Sequence, residues 1–213
     1  DRFSVTSFSG EHLARQSPGY LGHLILHHHF LVGGWNRLDE AVRQGGPVRH
    51  RSSRNSNRLE RESFLMGMFN QAFRIAPEIA AAIDLGGRRH LLDLAGGPGT
   101  YAIHFCQQNP GLSATIFDLP TTRPFAEQTV ARYGLGDRIS FVGGDIVTDP
   151  VGTGFDVVWL SHLLHSEGPE TCAAIVAKAA AALTEGGLLF IQEFILDDSR
   201  LAPIHPVLFS LNM

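Results

Sequence analysis

Apolar residues recur with two different periods along this chain, and the change between them falls near residue 86. Before it, Leu21, Leu24, Ile25, Leu31, Trp35, Leu38 and Val42 return every third or fourth position, which predicts helix over 19–44. A second helical segment is predicted over 58–84. No strand-like run follows the first dozen residues. From residue 88 short, nearly continuous apolar runs take over: His90–Ala95, Ala114–Asp118, Ile139–Val142, Phe155–Leu160 and Leu188–Gln192. Segments of helical composition, 100–109, 121–134 and 169–184, separate most of them. Strands that are apolar on both faces and alternate with helices predict a parallel sheet covered on both sides, a doubly wound α/β domain. Its crossovers are expected to be right-handed. The predicted division is a helical region over 1–85 and an α/β domain over 86–213.

Ligands of such sheets sit beyond the carboxyl ends of the strands. Each of the five predicted strands ends in glycine or polar residues. The first leads into Asp93-Leu94-Ala95-Gly96-Gly97-Pro98-Gly99-Thr100, and the second into Asp118-Leu119-Pro120. The third leads into Gly143-Gly144-Asp145-Ile146, and the fourth into Ser161-His162-Leu163-Leu164-His165. The fifth ends at Glu193. Gly97-x-Gly99-x-x-Ala102 satisfies a Rossmann-like dinucleotide fingerprint, and Asp118, 21 residues beyond Gly97, suits a ribose hydroxyl. NAD is therefore one reading. S-adenosylmethionine (SAM) is the other. A carboxylate at Asp93 suits an ammonium group, directly or through water, and repels a pyrophosphate. Asp145 adds an acid suited to an adenine amino group, and about 85 residues of helix precede the glycine loop.

Composition narrows the classes further. With 213 residues, 44% of them hydrophobic and 18% charged, the chain is neither disordered, collagenous nor a coiled coil. No apolar run approaches the ~20 residues of a membrane-spanning helix. Seventeen basic against 21 acidic residues leave a formal charge of −4, so no nucleic-acid footprint is expected. The basic stretch Arg49–Arg58 has no interleaved aromatic residue and reads as a solvated loop. Two cysteines, Cys106 and Cys172, make neither a disulfide scaffold nor a zinc cluster, which fits a reducing cytoplasm. His27-His28-His29 follows His23, and His23 and His27, four residues apart, could share a helix face, but no acidic ligand is close in sequence, so helix packing or a dimer surface is expected and no metal. The chain opens on Asp1 and stops at Met213 within an apolar run, which reads as a fragment, or the ordered part, of a longer chain.

Leu92–Thr100 resembles motif I of class I SAM-dependent methyltransferases. Phe117-Asp118-Leu119-Pro120, Gly144-Asp145-Ile146, and Leu164-His165 through Cys172 extend the likeness. Together they resemble the plant-type small-molecule O-methyltransferases, including caffeate, acetylserotonin and bacterial natural-product enzymes, over roughly 58–213 and more loosely 17–44. The resemblance implies a homodimer whose protomers begin with a winged-helix-like dimerisation region, of which 1–16 would be the tail. It implies further strands, a second carboxylate and part of the acceptor pocket beyond Met213.

It also implies a metal-free reaction in which a methyl group passes from SAM to a hydroxyl of a small acceptor, leaving S-adenosylhomocysteine (SAH). Cofactor-binding positions would be Asp93, Gly96, Gly97, Gly99, Asp118, Leu119, Gly144, Asp145, Ile146 and Ser161. His165 would be the base, since a neutral imidazole titrating near ~6.5 can take a proton from a phenol titrating near ~10 as the methyl group arrives. Glu193 would hold its other ring nitrogen. Ser166-Glu167 replaces the family's Asp-Trp after the histidine. Phe69, Phe73, His162 and Asn212 are candidate acceptor-side residues, with His162 the rival base. An NAD-dependent oxidoreductase and a non-catalytic SAM-binding homologue are the competing readings.

Overall fold

A computed structural model describes residues 3–17, 19–48 and 57–213, so residues 49–56 of the basic stretch lie outside the described residues. The chain forms two compact units, one ending at Ile75 and the other spanning Ala76–Met213.

The first unit is helical: α1 (Ser7–His12), α2 (Gly22–Trp35), α3 (Leu38–Gln44) and α4 (Arg58–Ala72). Side-chain oxygens that accept first-turn amides lacking a carbonyl partner within the helix start two of them. Thr6 Oγ1 accepts the Ser9 amide at 3.1 Å, and Asn57 Oδ1 accepts that of Glu60 at 2.9 Å. The single helix expected over 19–44 is instead two, broken at Asn36-Arg37 just after the weak helix formers Gly33-Gly34. Arg37 secures the break by donating to Glu40 at 2.7 Å and to the Val48 carbonyl at 3.0 Å. The helix expected over 58–84 is also two. After Ala72 the chain turns, and Pro77, which has no amide hydrogen to give, falls in the first turn of α5 (Ala76–Ala82). That helix belongs to the second unit, which begins at Ala76.

The second unit holds β1 (His90–Leu94), α6 (Thr100–Gln108), β2 (Ser113–Asp118), α7 (Arg123–Arg132), β3 (Ile139–Gly143), β4 (Phe155–Ser161), α8 (Pro169–Ala181), β5 (Leu183–Gln192) and α9 (Ile204–Asn212). All strands are parallel, in the order β3-β2-β1-β4-β5. Alternation along the central strands serves both faces. Leu92, Leu94, Val158 and Leu160 pack with Ile175 and Ala179 of α8. On the opposite face Trp159 meets Tyr101 and Phe105 of α6, with ring centroids 4.9 and 5.0 Å apart. This is the Rossmann-like doubly wound arrangement that the apolar runs imply.

One strand departs from the sequence reading. Helix α8 stops at Ala181, and β5 begins at Leu183 inside the stretch expected to be helical. Phe155 pairs with Leu183 but Val157 pairs with Leu188, so Thr184–Gly187 bulges out of the ladder. The polar and glycine residues there hid the strand.

The register aligns the carboxyl ends. The Ala95 amide donates to the Phe117 carbonyl at 2.8 Å, Gly144 to Asp118 at 2.9 Å, and His162 to Gln192 at 2.9 Å. The loops after all five strands therefore share one rim. The order reverses between β1 and β4, the switch point at which such sheets bind ligands.

Candidate active site

The rim is organised around the loop after β1. Gly99 takes φ +83° where the loop enters α6, and a Cβ there would stand 2.4 Å from Ile116 Cδ1. A Cβ on Gly96 would run into the Asp93 carboxylate at 2.5–2.9 Å. The glycines thus let the chain fold down onto a buried acid. Asp93 is 1% exposed and accepts the Ala102 amide at 3.3 Å. Burial, chiefly, pushes its pKa up to about 7.

Asp118 closes the loop from β2. Its Oδ2 accepts the Gly97 amide at 2.9 Å, and its Oδ1 accepts the Leu119 amide at 2.7 Å and the Thr122 hydroxyl at 2.8 Å. Burial raises its pKa while these three donors oppose the rise. A carboxylate oxygen can accept two bonds, so Oδ2 keeps capacity for a hydroxyl. Two acids on one glycine loop disfavour a pyrophosphate and suit an adenosine that carries a cation.

Beyond β3, Gly144 lies against the Phe117 ring, which a Cβ would meet at 2.5 Å. Asp145 Oδ1 accepts the Val147 amide at 3.0 Å, and the Asp145 amide donates to Asp149 at 2.9 Å. Leu119 and Ile146 are both half-buried on this rim. At the ends of β4 and β5, Ser161 Oγ donates to Gln192 Oε1 at 3.2 Å.

His165 sits in a short 3-10 turn, Leu164–Ser166, after β4. Its Nδ1 is 2.8 Å from Glu193 Oε2, and its amide donates to Glu193 Oε1 at 3.3 Å. With the proton on Nδ1, the Nε2 lone pair is left to act as a base. Burial raises the Glu193 pKa, but the hydrogen bonds from His165 and the nearby imidazoles outweigh it and hold the carboxyl below its usual value. The Ser166-Glu167 departure leaves the turn intact. Ser166 Oγ donates to the Leu163 carbonyl at 2.8 Å, and Cys172 Sγ to that of Leu164 at 3.2 Å.

His162 has a left-handed backbone, φ +51°, and its Nδ1 stands 4.0 Å from the same Glu193 oxygen. Burial lowers its pKa. Aromatic rings surround the pair. Phe194 lies 4.6 Å from His162, Phe209 4.8 Å edge-on to His165, and His205 5.0 Å from Phe194. Asn212 is half-buried on α9, three residues past Phe209. Phe69 and Phe73 are in the first unit, on α4, with rings 5.3 Å apart, and Phe69 is 4% exposed there. The α2 histidines contact rings, His23 with Tyr20 at 5.2 Å and His27 with Phe64 at 5.3 Å.

Sequence reasoning missed several positioning residues. Phe194, His205 and Phe209 carry no motif. Thr129 of α7 donates its hydroxyl to the Pro98 carbonyl and so braces the glycine loop. Lys178, the chain's one lysine, donates to the carbonyls of Ile146, Val147 and Asp149 and ties the loop after β3 to α8. Replacing it with methionine is expected to lower stability by about 1–3 kcal/mol, the usual cost of removing charged hydrogen bonds. Amide exchange at Asp145 through Asp149 should quicken, as hydrogen–deuterium exchange would record.

The chain matches the model of the O-methyltransferase domain over residues 35–213. It is 33% identical to 3-hydroxy-5-methyl-1-naphthoate 3-O-methyltransferase of Streptomyces sahachiroi, over 100% of this chain and 63% of that protein. It is 32% identical to the tetracenomycin polyketide synthesis 8-O-methyl transferase TcmO of Streptomyces glaucescens, over 100% of this chain and 64% of that one. Among solved structures, human N-acetylserotonin methyltransferase in complex with SAM superposes with a TM-score of 0.82 at 25% identity, covering 97% of this chain and 62% of that chain. The chain thus spans under two thirds of the length of these relatives. A family match over most of the chain, relatives above 30% identical and a common fold agree: the protein belongs to the O-methyltransferase domain family.

Proposed function

We propose that this chain is the catalytic part of a SAM-dependent O-methyltransferase that methylates a hydroxyl of a small aromatic or polyketide-like molecule. The observation that carries the reading is the 2.8 Å pair between His165 Nδ1 and Glu193 Oε2, on the same rim as a glycine loop guarded by two acids. When bound, SAM supplies a methyl group on a sulfonium, already a good leaving group. The residues' work is therefore alignment and proton removal.

His165 Nε2 takes the hydroxyl proton as the acceptor oxygen attacks. Glu193 holds the ring with Nδ1 inward and stabilises the imidazolium that forms. Asp118 receives a ribose hydroxyl, with Leu119 beside it, and Asp145 and Ile146 take the adenine side against Gly144. Gly96, Gly97 and Gly99 admit the close approach of backbone, Asp93 favours the ammonium group, and Ser161 lies toward the methionine portion. Phe69, Phe73, His162 and Asn212 are assigned to the acceptor side. The relatives' acceptors, a naphthoate and a polyketide, support an aromatic substrate.

The remaining assignments are a homodimer, a cytoplasmic location and a role in tailoring small molecules. Exposed Phe3, Phe8 and Val42 in the first unit favour burial against a second copy. No helix among the described residues is long and apolar enough to cross a membrane. Calorimetric titration with SAH, and with NADH as control, tests the reading. One saturable SAH site is expected. NADH binding without SAH binding would select the oxidoreductase instead.

A further inference from the structure

Glu193 serves more imidazole than a single base requires. His165 Nδ1 lies 2.8 Å from its Oε2, and His162 Nδ1 lies 4.0 Å from the same oxygen. One ligating atom from each of the three residues falls within 4.8 Å of the others. His165 is already paired, whereas His162 Nδ1 is buried and has no hydrogen-bond partner. A buried nitrogen lone pair or N–H left unsatisfied costs free energy, and this one faces a carboxylate and a second imidazole. Its left-handed backbone and the Phe194 ring 4.6 Å away hold it there.

We propose that His162, His165 and Glu193 form an inhibitory site for a borderline divalent cation, with zinc(II) as the ion of choice. Two imidazole nitrogens and one carboxylate oxygen are a zinc donor set that leaves a fourth position open. Ligand atoms around a tetrahedral zinc with bonds near 2.0–2.1 Å stand roughly 3.3 Å apart. The 2.8 and 4.0 Å spacings straddle that value, so small side-chain rotations complete the site. Magnesium and calcium ask for oxygen donors and are poor candidates.

Binding leaves the proton count unchanged. The single proton of neutral His165 moves from Nδ1 to Nε2, and Nδ1 donates its freed pair to the metal. The Nε2 lone pair that would receive the hydroxyl proton is thereby used up. Metal binding stands on the three ligands alone, whereas inhibition rests on His165 being the base as proposed above.

The test separates the two. Zinc(II) is titrated calorimetrically into the whole chain, and cobalt(II) is used as a visible-absorption probe of four-coordinate geometry. The variants are His162→Asn, since asparagine tolerates the left-handed backbone, and a His23→Ala/His27→Ala control on α2. One zinc per chain, a cobalt band of tetrahedral type, and at least about tenfold weaker zinc binding in His162→Asn but not in the control are expected. Circular dichroism and SAH titration of each variant show that it is folded. Zinc binding unchanged in His162→Asn, or lost only in the α2 control, would overturn the site. Zinc that binds through His162 yet leaves wild-type methyl transfer unaffected would overturn the inhibition. Absent SAH binding would instead unseat the methyltransferase reading, with the zinc titration still valid.

Discussion

His165→Ala is expected to lower kcat by about 10²- to 10⁴-fold, the range supplied by a positioned general base, while SAH still binds. The separation follows from placement. His165 follows β4, on the far side of β1 from Asp118 and the Gly144–Ile146 loop, and it bonds to neither. Steady-state kinetics with a phenolic acceptor, beside calorimetry with SAH, would display both halves. Unchanged turnover would dismiss His165 as the base. Glu193→Gln should do less, because an amide oxygen still accepts Nδ1–H but gives no charge to balance the imidazolium. The Gln variant should therefore lose rate without gaining KM.

The second large effect concerns Asp93. Its pKa is about 7 in the folded protein against an ordinary 3.8. Between those values the folded chain keeps a proton that the unfolded chain has released. Stability therefore falls as pH rises from about 4 to about 7, and levels off above. Three units at ~1.36 kcal/mol each amount to a loss of about 4 kcal/mol, an upper order-of-magnitude figure. Glu193, Asp149 and Asp197 have lowered values and act in the opposite sense, their stabilisation fading as pH falls through the acid range. The measurement is thus a difference: denaturant unfolding of wild type and Asp93→Asn from pH 4 to 8. The wild type should lose ground against the variant across that interval, and parallel curves would refute a buried neutral acid. A cation on the loop would favour the ionised carboxyl, so SAH affinity should rise as pH climbs toward 7.

Legibility in the sequence followed how directly each feature is encoded. The strands β1, β2 and β4 stand out as apolar runs because they are largely buried in the sheet, and edge strand β3 shows through the apolar Ile139, Phe141 and Val142 although Val142 is exposed. The start of strand β5 is not visible as an apolar run because Thr184-Glu185-Gly186-Gly187 sits in a bulge, where the ladder makes no apolar demand. The breaks at Asn36-Arg37 and before Ala76 were also lost, since helical periodicity persists across a turn of a few residues. At the rim, the glycines and Asp118 are local features and could be read from spacing. The pairing of His165 with Glu193 joins residues 28 apart, and only the family likeness suggested it. Thr129 and Lys178 were invisible for another reason. They bond to main-chain carbonyls, which every residue possesses, so no partner residue type betrays them. Phe194, His205 and Phe209 carry no motif, and only folding brings these rings around the histidines.

Lys178 also gives the chain an unusual address for amine chemistry. Its ε-amino group is the one lysine amine in 213 residues, and it is held by three carbonyls of the loop that carries Asp145. Those three hydrogen bonds must break before the amine can attack an acylating reagent, so labelling should quicken when that loop lets go. The rate of labelling at this single position thus becomes a clock for the opening of the loop after β3, readable by mass with no engineered probe.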